Sequence, residues 1–70
     1  MNLEKAKPIL TKRQIDCLRL LADGMTDDHV ATRIGISRNT VMGYKKTIKE
    51  ELNTRNVTHS VAVAIRAGLI

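Results

Sequence analysis

Residues 26–52, TDDHVATRIGISRNTVMGYKKTIKEEL, decide the fold. Thr26 can cap a helix from Asp27 to about Ile34, with Asp27 and Asp28 in the first turn, where the helix dipole favours negative charge. Val30, Ala31 and Ile34 form its apolar side. Ala31 is small where two helices must cross closely, and Gly35 can take the positive φ that the turn between them requires. Ser37 is the next cap, opening a long helix from Arg38 to Leu52. Val41, Tyr44, Ile48 and Leu52 fall on one stripe and must face inward, leaving Asn39, Met42, Gly43, Lys46 and Lys49 or Glu50 on the opposite, polar and mostly basic face. Asn53 suits a left-handed terminus. A long helix braced by a shorter one, with its charged face turned outward, is the arrangement that fits a major groove of duplex DNA.

Working outward, Thr11 and Gln14 are spaced as a capping box for a first helix from Lys12 to about Asp23. Cys17, Leu18, Leu21 and Met25 recur at helical spacing and should face the core, and Gly24 suits the helix end. Met1 to Ile9 read as a flexible arm, because Pro8 biases its predecessor away from helix. At the other end Thr58 reads as the cap of a fourth helix running to about Ala67. Val61, Ala62, Ile65 and Leu69 make a core-facing stripe there. Val63, Ala64, Ala67 and Ile70 make the opposite side apolar too, and a terminal helix of so small a domain cannot bury both sides in its own chain. Those four residues are therefore the expected dimer interface. The expectation is an all-α, four-helix helix-turn-helix domain over residues 10–70, with a long third helix that reads DNA and a fourth that dimerises. A two-fold dimer would set its reading helices one DNA turn apart, about 34 Å.

Bulk properties agree. Seventy residues allow one small domain, close to the size below which folds lean on disulfides, metals or partner chains. Twelve Lys and Arg against seven Asp and Glu give a net charge of +5, which favours phosphate-rich partners. The one cysteine, Cys17, cannot form an internal disulfide and sits among apolar neighbours, as a structural thiol would. Neither a signal-peptide run nor a stretch near the ~20 apolar residues of a membrane span is present, so the expected setting is the cytoplasm, away from membrane.

Enzyme chemistry finds no support. His29 and His59 are not at metal-ligand spacing with each other or with Cys17, and there is no Ser/His/Asp order or Gly-rich phosphate loop. Asp27 and Asp28 read better as dipole-stabilising acids than as metal ligands, since no third ligand lies near in sequence. No cofactor or metal is expected. Single-stranded RNA calls for stacking aromatics, and the one aromatic residue, Tyr44, is on the inner stripe.

The residues Leu10-Thr11-Lys12-Arg13-Gln14, Leu18 to Thr26, Val30-Ala31, Ile34-Gly35-Ile36-Ser37, Thr40-Val41, Leu52 and Gly68-Leu69-Ile70 resemble, taken together, the LuxR-type helix-turn-helix domain. This domain ends quorum-sensing receptors and NarL/FixJ-type response regulators, and stands alone in small regulators such as GerE. The resemblance covers Leu10 to Ile70. It implies a four-helix domain whose third helix enters the major groove and whose fourth commonly pairs two subunits. It carries DNA contact onto Met42, Gly43 and Lys46, with Ser37, Arg38, Asn39 and Thr40 near phosphates. With the basic residues Lys45 and Lys49 these complete the expected DNA-binding set.

Four positions depart from the family pattern: Gln14 stands where Glu is usual, Tyr44 where His is frequent, Lys45 where an apolar residue is normal, and Met42 where base-reading members often carry Arg or Lys. Arg reads guanine best, so Met42 and Gly43 point to thymine methyls, DNA shape and an A/T-rich target. The resulting expectation is a transcriptional regulator that binds double-stranded DNA as a homodimer. RNA polymerase or another regulator is a further candidate contact. Without room for a receiver or ligand-binding domain, control is expected through abundance, a partner, or domains outside this sequence. The competing expectation is an interaction-only module that heterodimerises with a full-length regulator and modulates it without binding DNA.

Overall fold

A computed structural model describes residues 10–70, and the arm expected over residues 1–9 lies outside them. Four helices follow in order: α1 Lys12–Ala22, α2 Asp27–Ile34, α3 Arg38–Leu52 and α4 Val57–Arg66, with no strand among the described residues. The starts are written in the side chains. Thr11 and Gln14 close the expected capping box, Thr11 Oγ1 accepting from the Gln14 amide at 3.1 Å and Gln14 Oε1 from the Thr11 amide at 2.8 Å. Thr26 and Ser37 cap α2 and α3 by accepting from the amides of His29 and Thr40. The ends share one device. In all four helices an amide just past the end reaches back to the carbonyl five residues earlier, as Met25 to Leu20, Ile36 to Ala31, Thr54 to Lys49 and Leu69 to Ala64, and the amide before it closes a tighter turn. The residue that makes this possible in α3 is Asn53, at φ 54°, the one non-glycine in the left-handed region among the described residues. Gly35, at φ 81°, performs the same service between α2 and α3.

The start of α4 differs from the sequence expectation. Asn56, not Thr58, is its cap, accepting from the His59 amide at 2.8 Å, so the helix begins at Val57 and Thr58 is an exposed first-turn residue. Asn is a stronger cap than Thr, and the earlier start also lets Ser60 Oγ donate to the Asn56 carbonyl at 3.0 Å.

Two small clusters make the core. Cys17, Val30, Ala31 and Val41 join α1, α2 and α3, while Leu18, Ile48, Leu52 and Ala64 join α1, α3 and α4. Tyr44 packs against both. Consecutive residues of α1, Cys17 and Leu18, therefore serve opposite halves. Helices α2 and α4 do not touch; α1 and α3 form the spine between them. This leaves α3 braced along its whole inner stripe while its other face is bare.

Candidate nucleic-acid interface

Helix α3 has two sharply different sides. Val41 and Ile48 are at most 1% exposed and Leu52 is 7% exposed, whereas Asn39, Met42, Gly43, Lys46 and Glu50 are all exposed. Met42, 53% exposed, is one of two large apolar side chains left open to solvent among the described residues. Gly43 beside it has an ordinary helical backbone, and a Cβ built there meets nothing within 4 Å. The fold thus gives no reason for glycine, although glycine in a helix interior costs roughly 0.5–1 kcal/mol relative to alanine.

At the start of α3, the first intrahelical bond runs from the Val41 amide to the Ser37 carbonyl, and Ser37 Oγ takes the Thr40 amide at 3.0 Å. The amides of Arg38 and Asn39 come before that bond and point out of the helix end, where the dipole favours an anion. The Ser37 and Thr40 hydroxyls lie 2.9 Å apart and hold each other, so Ser37 is engaged in capping.

The four cations of α3 are not equivalent. Lys45 Nζ lies 3.1 and 3.0 Å from the two carboxylate oxygens of Asp27, and both side chains are about three-quarters covered. Lys45 accordingly belongs to the α2–α3 crossing rather than to the outer face, a correction to its place in the expected DNA-binding set. The first-turn acid of α2 supplies the counter-charge for its ammonium. Arg38 Nε is 3.7 Å from Asp28 Oδ1 in a largely solvated pair worth little. Lys46 is exposed and Lys49 half-buried, and neither pairs with an acid among the described residues.

Cys17 lies beneath that crossing with no exposed surface. Burial foremost, and the negative charge of Asp27 next, push its thiol up to about 11, against a smaller opposing effect of Lys45. At neutral pH it is protonated, the condition of an inert structural thiol.

The apolar faces of α4 differ in part from the sequence expectation: Val61 and Leu69 pack against the core as expected, but Ala64 and Ile65 exchange places. Ala64 is fully buried in the domain's own core, and Val63 and Ile70 pack against that core, so Ala64 has no surface to give a partner. Ile65, expected inside, is 57% exposed. The reason is Ser60: it is wholly buried, its hydroxyl satisfied by the Asn56 carbonyl and the Thr54 hydroxyl, and it sets the core stripe as Ser60–Ala64. A pattern of apolar residues alone does not see a serine in the core. The surface that remains apolar is a flank where Ile65 and Ile70 border a shallow groove with Ala22 of α1, continued by Val57 and Val61.

Residues 8–64 match the family model of bacterial regulatory proteins, luxR family. The chain belongs to that family. Its relatives include the HTH-type quorum sensing-dependent transcriptional regulator VjbR of Brucella ovis, 44% identical over 62 residues that cover 89% of this chain and 24% of VjbR. The regulatory protein SdiA of Escherichia coli K12 is 35% identical over 60 residues, covering 86% of this chain and 25% of SdiA. The uncharacterized transcriptional regulatory protein YxjL of Bacillus subtilis is 31% identical over 67 residues, covering 96% and 30% respectively. The LuxR-family chain thus spans only 24–30% of the length of these curated relatives. Among its described residues no helix is long and apolar enough to cross a membrane.

Proposed function

We propose that this LuxR-family chain is a cytoplasmic transcriptional regulator that binds duplex DNA by laying α3 in the major groove. The observation that carries the reading is the bare face of α3. Met42, Gly43 and Lys46 sit at its centre, Asn39 and the free first-turn amides at one end and Lys49 at the other, all on a helix braced by both core clusters. Gly43 strengthens it, because a side chain omitted at some stability cost, where the fold has space for one, suits close approach by an outside surface. Lys46, Lys49 and Arg38 address phosphates, and Met42 offers a flexible apolar contact to thymine methyl groups. The favoured target is A/T-rich.

Pairing of two chains follows through the α4 flank, with Ile65 as its centre, Val61 and Ile70 beside it and Ala67 at the margin. This revises the interface set by removing Ala64 and Val63. Selecting bound sequences from a random duplex pool tests the reading: an A/T-rich, two-fold-related motif supports the dimeric reader. Absence of any selected motif, together with capture of a full-length regulator, would establish the interaction-only alternative instead.

A further inference from the structure

A second basic surface lies away from α3. Between α1 and the C-terminal end of α2 runs an open groove of about 610 Å³ to which no residue of α3 contributes. Four cations rim it: Lys12, Arg13 and Arg19 from α1 and Arg33 from α2. The one acid there, Asp16, is shared loosely between Lys12 at 3.8 Å and Arg19 at 3.6 Å, so the rim keeps an excess of three positive charges. The guanidinium of Arg13 donates one bond, of 3.3 Å, to the Ile34 carbonyl at the end of α2, which fixes it at the groove edge with other N–H groups to spare. The floor is apolar. Leu20 and Ile34 are both half-buried there, packed on the core from below and open above.

We propose that this groove docks an acidic amphipathic helix of a partner protein. The combination of floor and rim selects the occupant. A two-turn helix spans roughly 10 Å, the rise along α1 from Lys12 to Arg19, so aliphatic side chains at i and i+4 can seat on Leu20 and Ile34. Asp and Glu on the helix flanks then face the four cations, giving orientation and a fast, salt-sensitive encounter. A DNA backbone would satisfy the rim but leave the apolar floor without a counterpart, which is why a protein segment fits better. Because α3 is not part of the groove, such a partner can engage the chain without occupying the α3 face.

The test uses the full chain, isotope-labelled, titrated with a synthetic 14-residue helical peptide carrying two leucines four residues apart between glutamates. Two controls accompany it, one with the leucines replaced by serine and one with the glutamates replaced by lysine. Saturable binding is expected, with the amide signals of Arg13, Leu20, Arg33 and Ile34 moving and those of Met42 and Lys46 still. Each control peptide, and the Lys12→Glu/Arg33→Glu chain with the original peptide, should bind roughly tenfold more weakly. No saturable binding, or equal binding of the serine peptide, overturns the proposal. So does a loss of duplex DNA affinity in the Lys12→Glu/Arg33→Glu chain as large as that in Lys46→Ala, since the rim would then be a phosphate contact. Duplex affinity of the unaltered chain is read separately, so failure here leaves the α3 reading untouched.

Discussion

The α2 and α4 sides of this domain solve the same problem differently. Both must hold the spine of α1 and α3, and they do not touch each other. The α2 side closes its crossing with small apolar residues and one ion pair, Lys45 with Asp27; the α4 side uses larger aliphatics, Leu18, Ile48 and Leu52, and a buried hydroxyl, Ser60. The difference shows where polar groups enter a small core: each is tied to a partner at a helix start, Lys45 at that of the neighbouring α2 and Ser60 at that of its own α4. On one side that start carries Asp27, on the other Asn56 with its carbonyl. The ends of helices here fix packing as well as length.

Breaking the α4 side should have the largest effect. Leu18→Ala removes a fully buried side chain at the centre of that cluster and should lower stability by about 3 kcal/mol in urea denaturation, enough to threaten a domain of this size. The α2 side can be probed through pH. Because the Cys17 thiol is held up at about 11 when folded and titrates near 9.0 when free, the folded chain binds more protons between those values. Stability should be unaffected below pH 9 and fall as pH rises towards 11, by up to roughly 2–3 kcal/mol from this group. Cys17→Ala should lack that part of the slope in parallel pH-dependent melts.

Smaller effects sharpen the contrast between a helix made for packing and one made for contact. Gly43→Ala should raise stability by about 0.5–1 kcal/mol in thermal melts while weakening duplex binding, opposite signs that only an outside surface explains. For the α4 start, Asn56→Ala should cost about 1 kcal/mol and Thr58→Ala a few tenths at most, measured side by side.

Much of this was legible in the sequence, where rules act over a few residues. The caps at Thr11, Thr26 and Ser37, the turn at Gly35, the left-handed Asn53 and the inner stripe of α3 all follow from local chemistry, and the structure has them as read. What failed involved polar residues used in the interior. Ser60 hid the true core stripe of α4, so the apolar pattern put Ala64 outside and Ile65 inside, while Val61 and Leu69 do pack against the core. Lys45 looked like one more basic residue of α3, though an acid in the first turn of α2 was available to receive it. The rim of Lys12, Arg13, Arg19 and Arg33 was invisible because its members come from two helices and converge only when α1 and α2 cross.

The central claim, that the bare face of α3 is a phosphate-and-base contact surface while Lys45 is structural, is tested most directly by the salt dependence of duplex affinity in adjacent lysine variants. Lys46→Ala should weaken binding and make the slope of log affinity against log salt shallower by about one, as loss of one phosphate contact requires. Lys45→Met should leave that slope unchanged. Equal slopes for the unaltered chain and Lys46→Ala, or a shallower slope for Lys45→Met, would contradict the account.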